Sequence, residues 1–387
     1  MLNHLLVYIK NRQSRAIGCA FMLLGLLFGS WATTIPFIKA KFELKDAELG
    51  LLLLCLQLGA VLFTPMVMLS IRKYGMRQAT FWGMVFLSLA FAIPIHSPNV
   101  YILILGLLLT GMGITQLNVA MNTCASAIEE IYKINIMATQ HGLFSVGLMS
   151  GAFLSSALMS FNIHADTFMT FICLLGILLA LVTRNGIFSI QNKHIERISS
   201  SGSMWKWPDK VLMVMIIISL CINKTEGAMV DWTAIYLDEI VSAPAAKIGW
   251  GFAAYSAMMT AGRLLGDGFI PRLGGRRVLM VGSILSFIGI FTALFGATLI
   301  WSIIGFGMVG LGVSCGAPIL YGSAARLPGT ASGEGLATMN TFSMIGFMGG
   351  PVLIGFISSA TTLSTALSLL MVLAVIWFFY ARRVILY

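Results

Sequence analysis

Gly111-Met112-Gly113-Ile114-Thr115 and Gly310-Leu311-Gly312-Val313-Ser314 are one small-residue pattern written twice, 199 residues apart. The same shift lays Lys73-Tyr74-Gly75-Met76-Arg77 on Arg272-Leu273-Gly274-Gly275-Arg276, and Ala138-Thr139 on Ala337-Thr338. It also lays Gly147, Met149 and Gly151 on Gly346, Met348 and Gly350. The first apolar stretch matches at a shift of 201, Ser30-Trp31 on Asp231-Trp232, which asks only for a two-residue length change in the loop that follows. Shared glycines alone are common in membrane helices, but one offset held without a gap over four apolar stretches requires duplication. The reading is two halves of the same sense, a parallel repeat.

The repeated unit is oily. Of 387 residues, 58% are apolar and only 10% charged, and the mean hydropathy is +0.93, a composition that excludes a soluble globular domain. Twelve stretches long enough to cross a bilayer core run approximately 16–37, 47–70, 78–96, 100–128, 137–160, 166–184, 211–237, 246–270, 278–298, 300–325, 333–358 and 362–381. The fold class expected is therefore an all-α membrane protein of twelve transmembrane helices in two parallel six-helix repeats. Residues 1–184 form the first half and 211–387 the second. The polar, Ser-rich stretch 185–210 reads as a cytoplasmic linker, with Trp205 and Trp207 as interfacial anchors.

Orientation follows from charge. The loops on the side of the termini hold eighteen Lys and Arg, from Lys10 and Arg12 to Arg382 and Arg383, whereas the opposite loops hold Lys39, Lys41, Lys45 and Lys247. Both termini are expected in the cytoplasm. The formal charge of +10 thus sets orientation, and nucleic acid is discarded as a partner. Six cysteines lie inside apolar runs without metal or CxxC spacing, so neither a disulfide frame nor a metal site is expected. No cleavable leader is read at the amino terminus. No P-loop or nucleotide fingerprint occurs, so no cofactor and no ATP hydrolysis is expected; a gradient or the solute's own concentration is left as the driving force.

With these features the chain resembles the major facilitator superfamily. The basic loops at residues 72–77 and 271–277 are similar to that superfamily's motif between spans two and three and its echo between eight and nine. Both depart from it, since Arg72 and Pro271 stand where an acidic residue is expected. More narrowly, Ser30-Trp31-Ala32-Thr33, Asn118-Val119-Ala120-Met121-Asn122, His141-Gly142 and Glu226-Gly227 with Asp231-Trp232 resemble the branch of YbjJ-like inner-membrane proteins and, more distantly, fucose permeases. The resemblance implies a solute transporter, not an enzyme, in a bacterial inner membrane. It also implies a small, sugar-like solute.

Candidate site residues come from places where the repeat breaks or where charge sits at bilayer depth. His141 falls opposite Asn340, Asn118 opposite Ala317 and Asn122 opposite Tyr321. Thr115, Asn118, Asn122 and Ser126 recur at helical spacing as one polar stripe, suited either to a hydroxylated solute or to bonds between helices. His141 either titrates near neutral pH or satisfies a neighbouring carbonyl. Trp31 and Trp232 hold matched positions and serve either packing or stacking on a solute ring.

A charge at bilayer depth costs about 2.5–3.5 kcal/mol on insertion scales, so span seven, with Lys224, Glu226 and Asp231, asks for a use. Glu226 is the expected proton carrier, with Asp231 a second coupling candidate and Lys224 its charge partner. Glu226 points about 200° away from Lys224 on a straight helix. Either the helix breaks near Gly227 or one group pairs with another helix. Arg263 and Asp267 read as a local pair or as a contact with the basic loop, Glu334 as a partner for Arg326, and Pro36, Pro318 and Pro351 as bends. The functional expectation is a proton-coupled symporter of a small polar solute, monomeric in the bilayer. A proton-driven exporter of amphipathic compounds is the alternative, and a non-transporting receptor stands behind both.

Overall fold

The computed structural model describes residues 11–134, 136–191, 208–324, 326–327 and 334–386. Trp205 and Trp207 fall outside them, as do the side chains of Asp267, Glu334 and Asn340. Among the described residues every regular element is helical. The first half is built of α1 (Arg12–Lys41), α2 (Asp46–Leu62), α3 (Thr64–Tyr74), α4 (Met76–His96), α5 (Val100–Tyr132), α6 (Met137–Met159) and α7 (Ala165–Phe188). The second is built of α8 (Lys210–Ile235), α9 (Trp250–Leu273), α10 (Gly275–Gly296), α11 (Leu299–Val313), α12 (Gly316–Ala324), α13 (Glu334–Ala360) and α14 (Leu363–Ala381).

Nine of these stretches are long and apolar enough to cross a membrane, and α2 with α3, bent by 42° at Phe63, makes a tenth. The other two spans, α9 and α13, are 24 and 27 residues long. The first is diluted by Arg263 and Arg272, and the second has its apolar stretch confined to Gly346–Ala360. Spans two and ten each consist of two helices, the latter interrupted at Ser314 and Cys315 just before Pro318. α1 and α13 run unbroken through Pro36 and Pro351. The helix starts are locally encoded: Asn11 accepts from the backbone N–H of Gln13 and Ser14, Asn99 from that of Ile102, and Asp209 from that of Leu212, each satisfying amides that a helix start leaves unpaired.

The chain divides into two compact units, residues 1–43 with 52–200 and residues 44–51 with 201–387. In the first, α1 packs on α6 and α7, and α4 packs on α5 and α7. In the second, α8 packs on α13 and α14, and α10 on α11 and α14. These are the same pairings moved by one repeat. The duplicated glycines show why the sequence holds them. A Cβ at Gly111 would strike the carbonyl oxygen of Leu56, and one at Gly310 would strike that of Tyr255, again 199 residues on in both partners. Gly75 and Gly274, also 199 apart, turn the chain between helices at φ 82° and 84°, a region that only glycine enters without cost.

Candidate functional site

α8 is continuous from Lys210 to Ile235, so Gly227 does not break it. The alternative holds: Glu226 reaches a neighbouring helix, and its Oε1 lies 3.6 Å from Nη2 of Arg263 on α9. The side chains of Arg263 and Glu226 keep 32% and 20% of their surface exposed. Arg263 also directs Nε towards the carbonyl of Ser314 at 3.4 Å, an acceptor freed by the interruption between α11 and α12. That interruption is seated against α9 by Gly262, where a Cβ would meet the Ser314 hydroxyl, and by Cys315, whose thiol donates to the Gly262 carbonyl at 3.4 Å. Tyr255, on α9 and 1% exposed, lies within electrostatic range of both Glu226 and Arg263. The Tyr255 hydroxyl and Oε1 of Glu226 are both buried without a hydrogen-bond partner. Among the described residues an acid and a base therefore pair between α8 and α9 with hydrogen-bonding capacity left over.

One expectation about charge needs correction. Lys224 and Asp231 do not pair; among the described residues Asp231 makes no ion pair and is 7% exposed. Seven residues share a helix face but are separated by about 10.5 Å along the axis, and the Lys224 ammonium instead lies against α13, 3.6 Å from where a Cβ on Gly349 would stand. Arg263 reaches Glu226, while the side chain of Asp267, its expected local partner, lies outside the described residues. The tryptophans are corrected too. Trp31 is 2% and Trp232 0% exposed, with Trp31 tilted on Phe91 at 6.3 Å between ring centres. In this conformation both are packing residues and offer no ring to a solute.

In the first unit the polar stripe of α5 divides. Thr115 bonds the Ala60 carbonyl across to α2 at 3.1 Å. Asn122 donates through Nδ2 to the backbone and side-chain oxygens of Asn118 at 2.8 and 2.9 Å, and Asn118 itself is exposed. His141 on α6 is exposed, with its ring edge-on to Phe21 at 5.2 Å, and Ser145 bonds its carbonyl at 3.2 Å. Asn118, Asn122 and His141 thus keep accessible polar groups. Sequence reasoning missed Tyr255 and the partnership of Arg263. It also missed a signal within reach: at the 201-residue offset Glu226 stands on Gly25, the sharpest break of the repeat.

No protein-family model matches the chain. An uncharacterized MFS-type transporter of Yersinia pestis is 32% identical over 348 residues, covering 90% of this chain and 89% of that protein. The chain belongs to the major facilitator superfamily. Membrane protein MosC of Rhizobium meliloti is 28% identical over 370 residues, covering 95% of this chain and 89% of its own. Among solved structures, a mutant of the nucleoside transporter NupG superposes with a TM-score of 0.75 at 14% identity, covering 96% of this chain and 99% of that one. A bacterial homolog of the lysosomal transporter Spinster, inward-facing and occupied, gives 0.71 at 15% over 96% of each chain. At such identity the last two establish the fold alone. This superfamily member is thus a multi-pass membrane transporter of small solutes, and its relatives are transporters, not enzymes.

Proposed function

We propose that the protein is a proton-coupled symporter of a small, polar, sugar-like solute that works by alternating access. The observation that carries this reading is the Glu226–Arg263 pair, in which Oε1 of Glu226 has no hydrogen-bond partner among the described residues. A partly exposed charge pair between two membrane-spanning helices contributes little stability, so its presence in a transporter points to use. Glu226 takes the proton, and Arg263 holds the carboxylate while it is empty. Asp231, buried and without an ion partner among the described residues, is the secondary coupling candidate. Asn118, Asn122 and His141 supply hydrogen bonds to the solute from the first half, and Asn340 from span eleven. The sugar-like class rests on the resemblance to the YbjJ-like and fucose-permease branch. NupG, a nucleoside transporter on this fold, also handles a hydroxylated solute. Residues 185–210 act as the linker between halves 1–184 and 211–387, and the basic loops face the cytoplasm from a bacterial inner membrane.

In proteoliposomes Glu226→Gln should abolish uphill accumulation driven by a proton gradient while solute exchange persists. Gradient-driven accumulation at the wild-type level in that variant would remove Glu226 from coupling.

A further inference from the structure

The 42° bend at Phe63 carries α3 off the line of α2 and leaves a cleft of about 350 Å³ in the first unit. Its walls are Met66 and Ser70 of α3, Trp82 and Phe86 of α4, and Met112 and Gln116 of α5. The cleft opens on the face that α4 turns outward: Trp82 and Leu89, seven residues apart, are 60% and 53% exposed, and Met66 across the opening is 60% exposed. In a multi-pass membrane protein such an apolar outward face meets lipid. The wall from Met66 to Tyr74 rises on the order of 12 Å at the helical 1.5 Å per residue. It therefore has the length of a segment of acyl chain and the lining to match.

What sits above the cleft decides which lipid. Tyr74 and Gln78 close the end of the cleft, and between and beside them run Arg72, Lys73 and Arg77. Arg77 is committed inward, donating to the Phe188 carbonyl at 2.8 Å. Arg72 and Lys73 are exposed, and neither has a carboxylate partner among the described residues; the Lys73 ammonium rests 5.2 Å from the Tyr74 ring centre. The superfamily's loop motif, to which this stretch is similar, expects an acid at position 72. With Arg72 there instead, the loop holds positive charge at Arg72 and Lys73 that no carboxylate among the described residues neutralises. We propose that the cleft holds one acyl chain of an anionic phospholipid whose headgroup sits on Arg72 and Lys73. The chain fills the volume that the bend opens between α3 and the α4–α5 pair, and the phosphate supplies the charge that the loop lacks.

Native mass spectrometry of the full chain tests this, with phosphatidylglycerol and phosphatidylcholine of identical acyl chains offered at equal concentration. One phosphatidylglycerol should be retained in preference. Each basic residue near a headgroup is worth about fivefold in binding, so Arg72→Gln with Lys73→Gln should cut that preference roughly 25-fold. Ser70→Phe, which fills the cleft and keeps both charges, should lower retention of both lipids. In the unmodified protein, phosphatidylglycerol with brominated chains should quench a tryptophan signal that Trp82→Phe removes. Equal retention of the two lipids, undiminished preference after the charge substitutions, or quenching unaffected by Trp82→Phe would each overturn the assignment.

Discussion

Arg263→Ala should destabilise the protein by about 2 kcal/mol, and adding Glu226→Gln should return at least half of that loss. At the observed 3.6 Å, two unit charges attract by ~4.6 kcal/mol at an effective dielectric of about 20. That figure is too large for this pair, because 3.6 Å is beyond hydrogen-bond range and both side chains are partly exposed, which lets solvent screen them. Exposed pairs contribute up to about 1 kcal/mol, whereas breaking a fully buried one costs about 3–5 kcal/mol. A pair at this exposure belongs between the two. Removing Arg263 does more than delete an attraction: it strands a carboxylate whose Oε1 has no hydrogen bond among the described residues. Neutralising Glu226 then relieves a penalty instead of adding one. Thermal denaturation of the purified wild type, both single variants and the double variant gives the coupling directly. Additive losses, or an Arg263→Ala protein as stable as wild type, would refute the reasoning. Arg263→Lys should fall between, since an ammonium keeps the charge but cannot also direct a guanidinium N–H to the Ser314 carbonyl.

Gly111→Ala and Gly310→Ala should each cost about 1–3 kcal/mol by overpacking against the Leu56 and Tyr255 carbonyls; Gly142→Ala, where nothing lies within 4 Å, should instead be neutral or gain up to about 1 kcal/mol from helix propensity. The same melting assay decides, and equal effects at the three sites would contradict the packing. Trp31→Ala and Trp232→Ala should each lose about 3–5 kcal/mol, while the milder Trp31→Phe should leave the KM for solute unchanged; a KM that rises without loss of stability would return Trp31 to the solute site. Lys224→Met should leave the melting temperature unchanged or higher, since no carboxylate partner is stranded among the described residues, and a large loss would show that the ammonium has a partner after all. A thermal-shift screen against sugars, nucleosides and amphipathic drugs should give stabilisation of about 2.7 kcal/mol for a true ligand at 100 times its Kd, weakened by Asn118→Ala if the solute is hydroxylated; stabilisation by amphipathic drugs alone would favour export.

The scaffold was legible in the sequence because duplication writes each packing constraint twice. Gly75 with Gly274, and Gly111 with Gly310, stand at one offset, and in the structure each pair performs one task at both places. Span ends and the interruption of span two were less legible, since apolar content says where a helix lies in the bilayer but not where its axis bends. Site residues were legible as candidates but not as partners. Lys224 and Asp231 share a helical face, yet axial rise separates them and the lysine extends towards α13. Glu226 and Arg263 lie on successive spans with no periodicity linking them, and only the placement of α9 beside α8 makes them neighbours. The tryptophans matched across the repeat because both are core, and a matched position is the weaker argument for a solute contact.

The break at Gly25 and Glu226 shows how a duplicated scaffold acquires a one-sided function. In the first unit Gly25, Gly29, Gly147 and Gly151 bring α1 and α6 backbone to backbone, and a Cβ at any of the four would strike a main-chain oxygen of the other helix. At the offset of 201 the second half writes Glu226 for Gly25 and Val230 for Gly29, which removes that mode of approach from α8. The facing glycines remain, and a Cβ at Gly346 would still meet the Leu220 side chain at 2.5 Å, but neither meets a main-chain oxygen as closely as in the first unit. Gly350 finds the Lys224 carbonyl at 3.9 Å, Gly349 the Lys224 ammonium at 3.6 Å, and on α8 Gly227 finds the Phe347 ring at 3.8 Å. The two substitutions therefore remove the main-chain approach of this crossing, and one of them places a carboxylate on α8. A looser crossing costs dispersion contacts, so stability alone would have kept the glycine. Where a repeat gives up close packing for an ionisable group that pairs at 3.6 Å with its neighbour, the second half carries the charge pair and the first half the closer helix crossing.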